Sequence, residues 1–278
     1  MNELSHEDAE KLVTSIGIPP RPAVVLAVMD EKSKDEPDLR VISDAISRDV
    51  GVAAALLKTA NSPLFGLRNP VSSIPQAVNL LGLRQISTLV NSLALKTTLN
   101  TQGIERFWDQ SARIAMLSAW LAGHFRLDRD SAHLFGLFRD AGIPLLMRRF
   151  PDYKDTLRIA NQDTTRVFTE VEDERHGMNH AVVGSIVARN WCLSDSIRVA
   201  ILRHHDTSLF TGGEDRPAQQ LIALAHLAGQ IESHTLRQQD DGEWARFAEY
   251  VLTSLMLGED DLPELVQDAG SLLLESGM

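Results

Sequence analysis

The residues of this chain best suited to chemistry fall in three short stretches: the adjacent pair Arg139-Asp140, the single His180, and the adjacent pair His204-His205. Imidazole and carboxylate groups bind metals or carry protons, and a guanidinium holds anions. Each also has a plainer reading. His180 can pack or cap within a helix, and His204 and His205 stand where a helix would end, a place where the helix dipole favours imidazolium. Neighbouring helical residues point about 100° apart. Both imidazoles therefore reach one point only if the helix breaks between them, which a helix end allows. His124, His133, His176, His226 and His234 show no ligand spacing, although His226 lies one turn from Gly229. Ser72 and Ser73 read as helix-capping residues and not as nucleophiles, because no neighbouring base is implied. The lone Cys192, between Trp191 and Leu193, reads as a small buried hydrophobe. Met147, Met178 and Met256 read as core, and Trp108, Trp120, Trp191 and Trp244 as packing anchors.

The elements that must position these residues are helices. Aromatic residues are 5% of the chain, and no sustained apolar-polar alternation bounded by hairpin dipeptides is present. Pro22 opens an apolar run to Met29, where a first-turn proline needs no amide donor. Pro37-Asp38 reads as a stop followed by an N-cap. Leu39, Ile42, Ala45, Ile46 and Val50 have the spacing of one helical face, with Gly51 predicted to interrupt it. A short apolar helix then ends at Asn61-Ser62-Pro63, Ser72 or Ser73 caps the next, and residues 80–83 make a tight corner. Further helices are predicted over 86–99, 104–125, 127–150 with breaks at Gly142 and Pro144, 153–159, 179–191, 194–204 and 219–231. Two more follow in the tail. Asn100 to Gly103 is the best candidate boundary, and residues 206–217 form a loop rich in Gly and acids.

Composition narrows the functional classes. The 278 residues include 44% hydrophobic and 23% charged, a globular profile with enough chain for a sizeable core. A formal net charge of -11, with no basic run wider than Arg148-Arg149, argues against duplex DNA as a partner. One cysteine excludes an internal disulfide and suits a reducing compartment. The acidic N-terminus is unlike a signal peptide, and no window approaches the roughly 18 apolar residues of a membrane span. A cytoplasmic protein without membrane contact is expected.

Three segments, in order, carry a resemblance to one family. Residues 46–83 read ISRDVGVAAALLKTANSPLFGLRNPVSSIPQAVNLLGL, including Ala60-Asn61-Ser62, Phe65-Gly66, Pro70 to Ile74, Ala77 and Leu80-Leu81-Gly82. Residues 134–143 read LFGLFRDAGI, and residues 174–206 read ERHGMNHAVVGSIVARNWCLSDSIRVAILRHHD. Together these resemble the HDOD domain, a bacterial signalling relative of the HD metal-dependent phosphohydrolases. The resemblance covers residues 16–235. It implies an all-α fold of two packed helical lobes, an N-terminal lobe over 1–102 and an HD-phosphohydrolase-like lobe over 103–278 with a C-terminal helical extension, the two acting as one unit.

In the HD enzymes that this family resembles, a divalent metal is held by an early His, the His-Asp pair of the motif and a late Asp. Carried over by motif, those positions fall on Gln110, Arg139, Asp140 and Gly229, and the motif Lys place on Ile143. Only Asp140 survives. Arginine offers no lone pair and glycine has no side chain, so the resemblance implies a pseudoenzyme without ordinary HD hydrolysis. Residues resembling the second-metal ligands of the cyclic di-GMP phosphodiesterases of the HD-GYP class are still present. Asp140, His180, His204 and His205 would suit one divalent metal, zinc, iron or manganese. Arg139 would alternatively make the vacated pocket an anion site.

The expected function is therefore a non-catalytic output or scaffold module in bacterial signal transduction, acting through protein partners and needing no cofactor. Two alternatives stay open: a metal-dependent phosphohydrolase or cyclic-dinucleotide phosphodiesterase using the remnant single-metal site, and an anion or nucleotide sensor. With no receiver, kinase or cyclase segment recognised, the input is expected from another chain or a ligand. Partner identity and oligomeric state are not legible.

Overall fold

The computed structural model describes residues 16–61, 70–99, 104–163, 165–212 and 215–275. Among them every regular element is helical, in agreement with the all-α expectation. The chain divides into two compact units, built on Pro20–Asn100 and on Thr101–Leu273. The boundary loop 100–103 lies outside the described residues, as do Ser62, Pro63, Phe65 and Gly66 of the signature.

The first unit contains α1 (Ala23–Lys32), α2 (Leu39–Arg48), α3 (Val50–Ala60) and α4 (Ile74–Leu99). Asp38 caps α2 by accepting from Arg40 N at 2.8 Å. The next break falls at Asp49, not at Gly51: Asp49 accepts from Val52 N at 3.1 Å and starts α3, with Gly51 inside its first turn. A good capping side chain outweighs one helical glycine, which costs only about 1 kcal/mol against alanine. Ser73 Oγ accepts from Gln76 N at 3.4 Å where α4 begins, and the expected corner appears inside α4 at Gly82, with φ 75°. Val25, Val28, Ile42, Ile46, Leu56 and Leu95 are buried in the core of this unit. Asn61 of the signature clamps the chain: its Oδ1 accepts from Val71 N at 2.7 Å and its Nδ2 donates to Val71 O at 2.8 Å.

The second unit contains α5 (Glu105–His124), α6 (Arg129–Phe138), α7 (Gly142–Arg149), α8 (Tyr153–Gln162), α9 (Phe168–His176), α10 (His180–Asn190), α11 (Asp195–Arg203), a 3-10 turn (Thr207–Phe210), α12 (Arg216–Arg237), α13 (Trp244–Leu255) and α14 (Leu262–Glu275). Every residue of α12 from Leu221 to Ser233 is buried, which marks it as the helix around which α5, α6, α11 and α13 pack. Phe138 meets Trp191 edge to face with ring centroids 5.5 Å apart. Among the described residues no helix is long and apolar enough to cross a membrane.

Three further expectations need correction. The long predicted helix 127–150 breaks at Arg139–Ala141, and Gly142 and Pro144 lie in the first turn of α7, where a proline nitrogen has no intrahelical partner to lose. Cys192 is exposed and adopts a left-handed φ of 54° in the turn after α10. Met256, also left-handed, is 80% exposed and is no part of the core.

Candidate metal centre

The break at Arg139–Ala141 places Asp140 between two helices. It brings that turn against the start of α10, which Asn179 caps by accepting from Val182 N at 3.0 Å. Contact is so close that a Cβ on Gly142 would stand 2.2 Å from the carbonyl oxygen of His180. One Cβ on Gly184 would lie 3.1 Å from Ile201 and 3.5 Å from the Arg139 carbonyl oxygen. The Asp-x-Gly and His-Ala-x-x-Gly patterns thus set a distance of approach as well as supplying side chains. At the far side α11 ends at Arg203, and His204 occupies its C-cap, so His205 turns back toward the same point.

The structure brings Asp140, His180, His204 and His205 together, with one donor atom of each within 4.8 Å of all the others. His180 Nε2 is 3.3 Å from His204 Nε2 and 3.1 Å from His205 Nε2. Asp140 Oδ1 is 3.5 Å from His180 Nε2 and 3.3 Å from His204 Nε2.

The opposite edge of each ring is held from behind. His180 Nδ1 donates to Glu172 Oε2 at 2.7 Å, and Glu172 Oε1 in turn accepts from the Tyr153 hydroxyl. His204 Nδ1 donates to Ile201 O at 2.7 Å. His205 Nδ1 lies 2.7 Å from Glu243 Oε2, in ion-pair contact although off the line of a hydrogen bond. Phe168 stacks on His205 at 5.5 Å and meets His180 edge-on at 5.4 Å.

These outer contacts decide the electrostatics. An imidazole that donates through Nδ1 in its neutral form carries a bare lone pair on Nε2. Lone pairs of His180 and His204 would then face each other and a carboxylate oxygen, which is repulsive unless a proton or a cation stands among them. With no metal, that charge is a proton on His180: burial pushes its pKa down, but the carboxylates of Glu172 and Asp140 outweigh burial and raise it to about 10. His204 moves the other way, to about 3, because of burial and the neighbouring His205. Burial would raise Asp140, but the Arg139 guanidinium beside it, and then the protonated His180, hold it well below the usual carboxylate range.

Three imidazole nitrogens, one carboxylate oxygen and a set of outer acceptors on the rings match the donor set of a zinc, iron or manganese site. The residues present fit such an ion. Asp140, His180, His204 and His205 would hold it, and a bound divalent ion would supply a Lewis-acidic charge facing the adjoining cavity.

That cavity, about 730 Å³, is lined by the cluster and also by Gln110, Arg139 and Gly229, the three positions at which the HD pattern is broken. Arg139 Nε donates to Asp140 Oδ2 at 3.0 Å, so a fixed cation stands beside the surviving motif residue. Asp241 takes up part of the space that Gly229 leaves, its Oδ2 lying 3.5 Å from where a Cβ would be. His226 does not join the cluster; it donates from Nε2 to His204 O at 2.9 Å and stacks on Phe247 at 3.8 Å.

Sequence reasoning missed the outer layer. Helix α9, FTEVEDERH, falls between the predicted helices 153–159 and 179–191, in a stretch to which the sequence assigns no element. Yet Glu172, from its middle, is fully buried. The signal was its position eight residues before His180 and one helical turn after Phe168, on the same helix face. Asp241 and Glu243 sit in the α12–α13 connection, and nothing in the sequence ties them to the cluster.

A family model for the HDOD domain matches residues 18–207. An uncharacterized protein of Treponema pallidum (strain Nichols) is 27% identical over 240 residues, covering 78% of this chain and 44% of that protein. The chain thus spans less than half the length of this curated relative. Among solved structures, a candidate phosphohydrolase from Shewanella amazonensis SB2B superposes with a TM-score of 0.73 at 21% identity, covering 96% of each chain. A candidate signal transduction protein from Marinobacter aquaeolei VT8 gives 0.72 at 21% identity, over 96% of this chain and 61% of that one. At such identities the likeness is one of fold.

Proposed function

The chain belongs to the HDOD family, and from that premise we propose that it is a signal-transduction module that acts through protein partners without running HD-type phosphohydrolysis. One observation carries the non-catalytic part: Arg139 donates to Asp140 Oδ2 at 3.0 Å, leaving a guanidinium where an HD centre needs an imidazole ligand. The signalling part is supported by the family and by the Marinobacter neighbour's description. The family match runs through both compact units, which supports reading them as one functional unit. A net charge of -11 favours protein partners over DNA.

Turnover of bis(p-nitrophenyl) phosphate and of a cyclic dinucleotide, measured on Mn²⁺-loaded protein beside Asp140→Ala, tests this reading. No Asp140-dependent turnover is expected, and its detection overturns the proposal. Affinity capture from the source cells should recover a specific regulatory protein; an empty result across growth conditions counts against partner action.

A second reading is favoured by the convergence of His180, His204, His205 and Asp140, with one donor atom of each within 4.8 Å of the others: the module binds one divalent metal at the cluster. Metal analysis of the purified protein should then give close to one equivalent, falling below about a tenth in the His180→Ala/His204→Ala double variant, since structural sites of this kind bind tightly. An equally low value for the unaltered protein removes this reading and leaves the first standing.

A further inference from the structure

Asp140 faces two cationic positions at once. Its Oδ2 accepts from Arg139 Nε at 3.0 Å, while its Oδ1 looks into the histidine cluster, 3.3 Å from His204 Nε2. A carboxylate shared by two cations is how two-metal centres are built, with the reacting or bound oxyanion clamped between them. Here one of the two cations is part of the chain. Arg139 uses only Nε on Asp140; among the described residues its two terminal nitrogens make no other hydrogen bond or ion pair, and its side chain lines the cavity. A guanidinium edge with free paired donors is suited to a tetrahedral oxyanion, which it can hold bidentately.

We infer that the cavity binds a phosphate group, as the free ion or at the end of a small organic ester, held jointly by Arg139 and by the metal of the histidine cluster. This rests on the reading of the cluster as a metal site. Lys154 and Arg106 line the same cavity, and Phe107, Met147 and Leu157 give it an apolar wall. About 730 Å³ is ample for a ligand larger than the bare ion.

Charge makes the two occupants depend on each other. Four carboxylates line the cavity against the three cations Arg106, Arg139 and Lys154. A divalent ion at the cluster shifts this balance toward positive charge, even where it takes the place of the proton on His180. Phosphate must therefore bind weakly to metal-free protein and firmly to the loaded form, and by reciprocity it must tighten the metal. In signalling terms the module would report metal and phosphate together and neither one alone.

The experiment uses the full chain, Mn²⁺, inorganic phosphate and phenylphosphonate, which cannot be hydrolysed. Titration calorimetry gives the affinities, and broadening of the phosphorus resonance by bound Mn²⁺ reports proximity. Both probes are expected to bind only with Mn²⁺ present, and Arg139→Gln should weaken them about tenfold or more, the scale of a lost pair of charge-assisted bonds, while still binding one Mn²⁺. Tighter binding of phenylphosphonate assigns an organic ester; tighter binding of phosphate assigns the free ion. Phosphate affinity unchanged in Arg139→Gln, with Mn²⁺ still bound, overturns the inference and leaves the metal reading intact. Failure of the unaltered protein to bind Mn²⁺ overturns both. Arg139→Lys guards against a folding defect, since it keeps the charge, loses the fork and should give an intermediate affinity.

Discussion

The backbone of Gly142 is pressed against the carbonyl oxygen of His180, at a separation that would leave an added Cβ only 2.2 Å away. Backbone cannot swing aside as a side chain can, so Gly142→Ala must push α7 and α10 apart. Overpacking of this kind costs typically 1–3 kcal/mol, here about 3 or more. The same displacement separates Asp140 from His180. Urea denaturation should show a lowered midpoint, and Mn²⁺ affinity of the folded fraction should fall with it. An unchanged midpoint with full metal affinity would show that the close approach is not what sets the site.

Glu172 predicts a subtler effect. It is fully buried, accepts from the ring and the backbone amide of His180, and accepts the Tyr153 hydroxyl as well. Burial works against its charge, but His180 and the hydrogen bonds outweigh burial and keep it ionised. Outer-layer partners of this kind are worth roughly 10–100-fold in metal affinity. Glu172→Gln keeps the shape, so the fold should persist while Mn²⁺ affinity drops by that order. Tyr153→Phe should give a smaller loss in the same direction, measured by the same titration.

How far the sequence carries can be judged on particular elements. Helices with apolar spacing and a capping side chain, such as α2 with Asp38 and α11 with Ser194, are legible because local physics fixes them. The break at Arg139–Ala141 is displaced from its expected place because Pro144 reads as a breaker, yet in a first turn it is benign. Cluster residues His180, His204 and His205 are legible through the family resemblance, and the helix end after Arg203 supplies the break that two adjacent histidines require. Helix α9 and Glu243 are illegible for a common reason. Acids that are buried by a long-range partner look, in one dimension, the same as acids in water.

Glu232 offers a stability prediction outside the cluster. On the buried helix α12, it accepts at Oε1 from Arg113 Nε and Nη2 at 3.0 and 2.8 Å, and at Oε2 from Arg237 Nη2 at 3.1 Å. Its side chain is 1% exposed and that of Arg113 15%. Removing one partner leaves a largely buried charge without compensation, at about 3–5 kcal/mol. Glu232→Ala should therefore lower the denaturation midpoint strongly, and the double variant Glu232→Ala/Arg113→Leu should recover part of the loss. Additive losses would mean that the two side chains act independently.

The last prediction concerns pH and the first unit. Glu31, at the end of α1, is 3% exposed; its Oε2 meets Lys34 Nζ at 2.5 Å and its Oε1 accepts from Asp38 N at 2.8 Å, tying α1 to the cap of α2. The hydrogen bond from Lys34, then that from the Asp38 amide, lower its pKa below the ordinary carboxylate value. In the unfolded chain those bonds are gone and the pKa returns to that value. A carboxylate whose folded pKa is depressed binds fewer protons than its unfolded counterpart, so stability rises with pH across the interval between the two. The contribution is complete above the ordinary carboxylate range and fades as pH falls through that range toward the lowered folded value. Glu31→Gln should therefore be less stable than the parent at neutral pH, with the difference shrinking as the solution is acidified below about pH 5. Chemical denaturation at a series of pH values checks this, and a difference that stays constant with pH would mean that the charge of Glu31 is not what the amide of Asp38 requires.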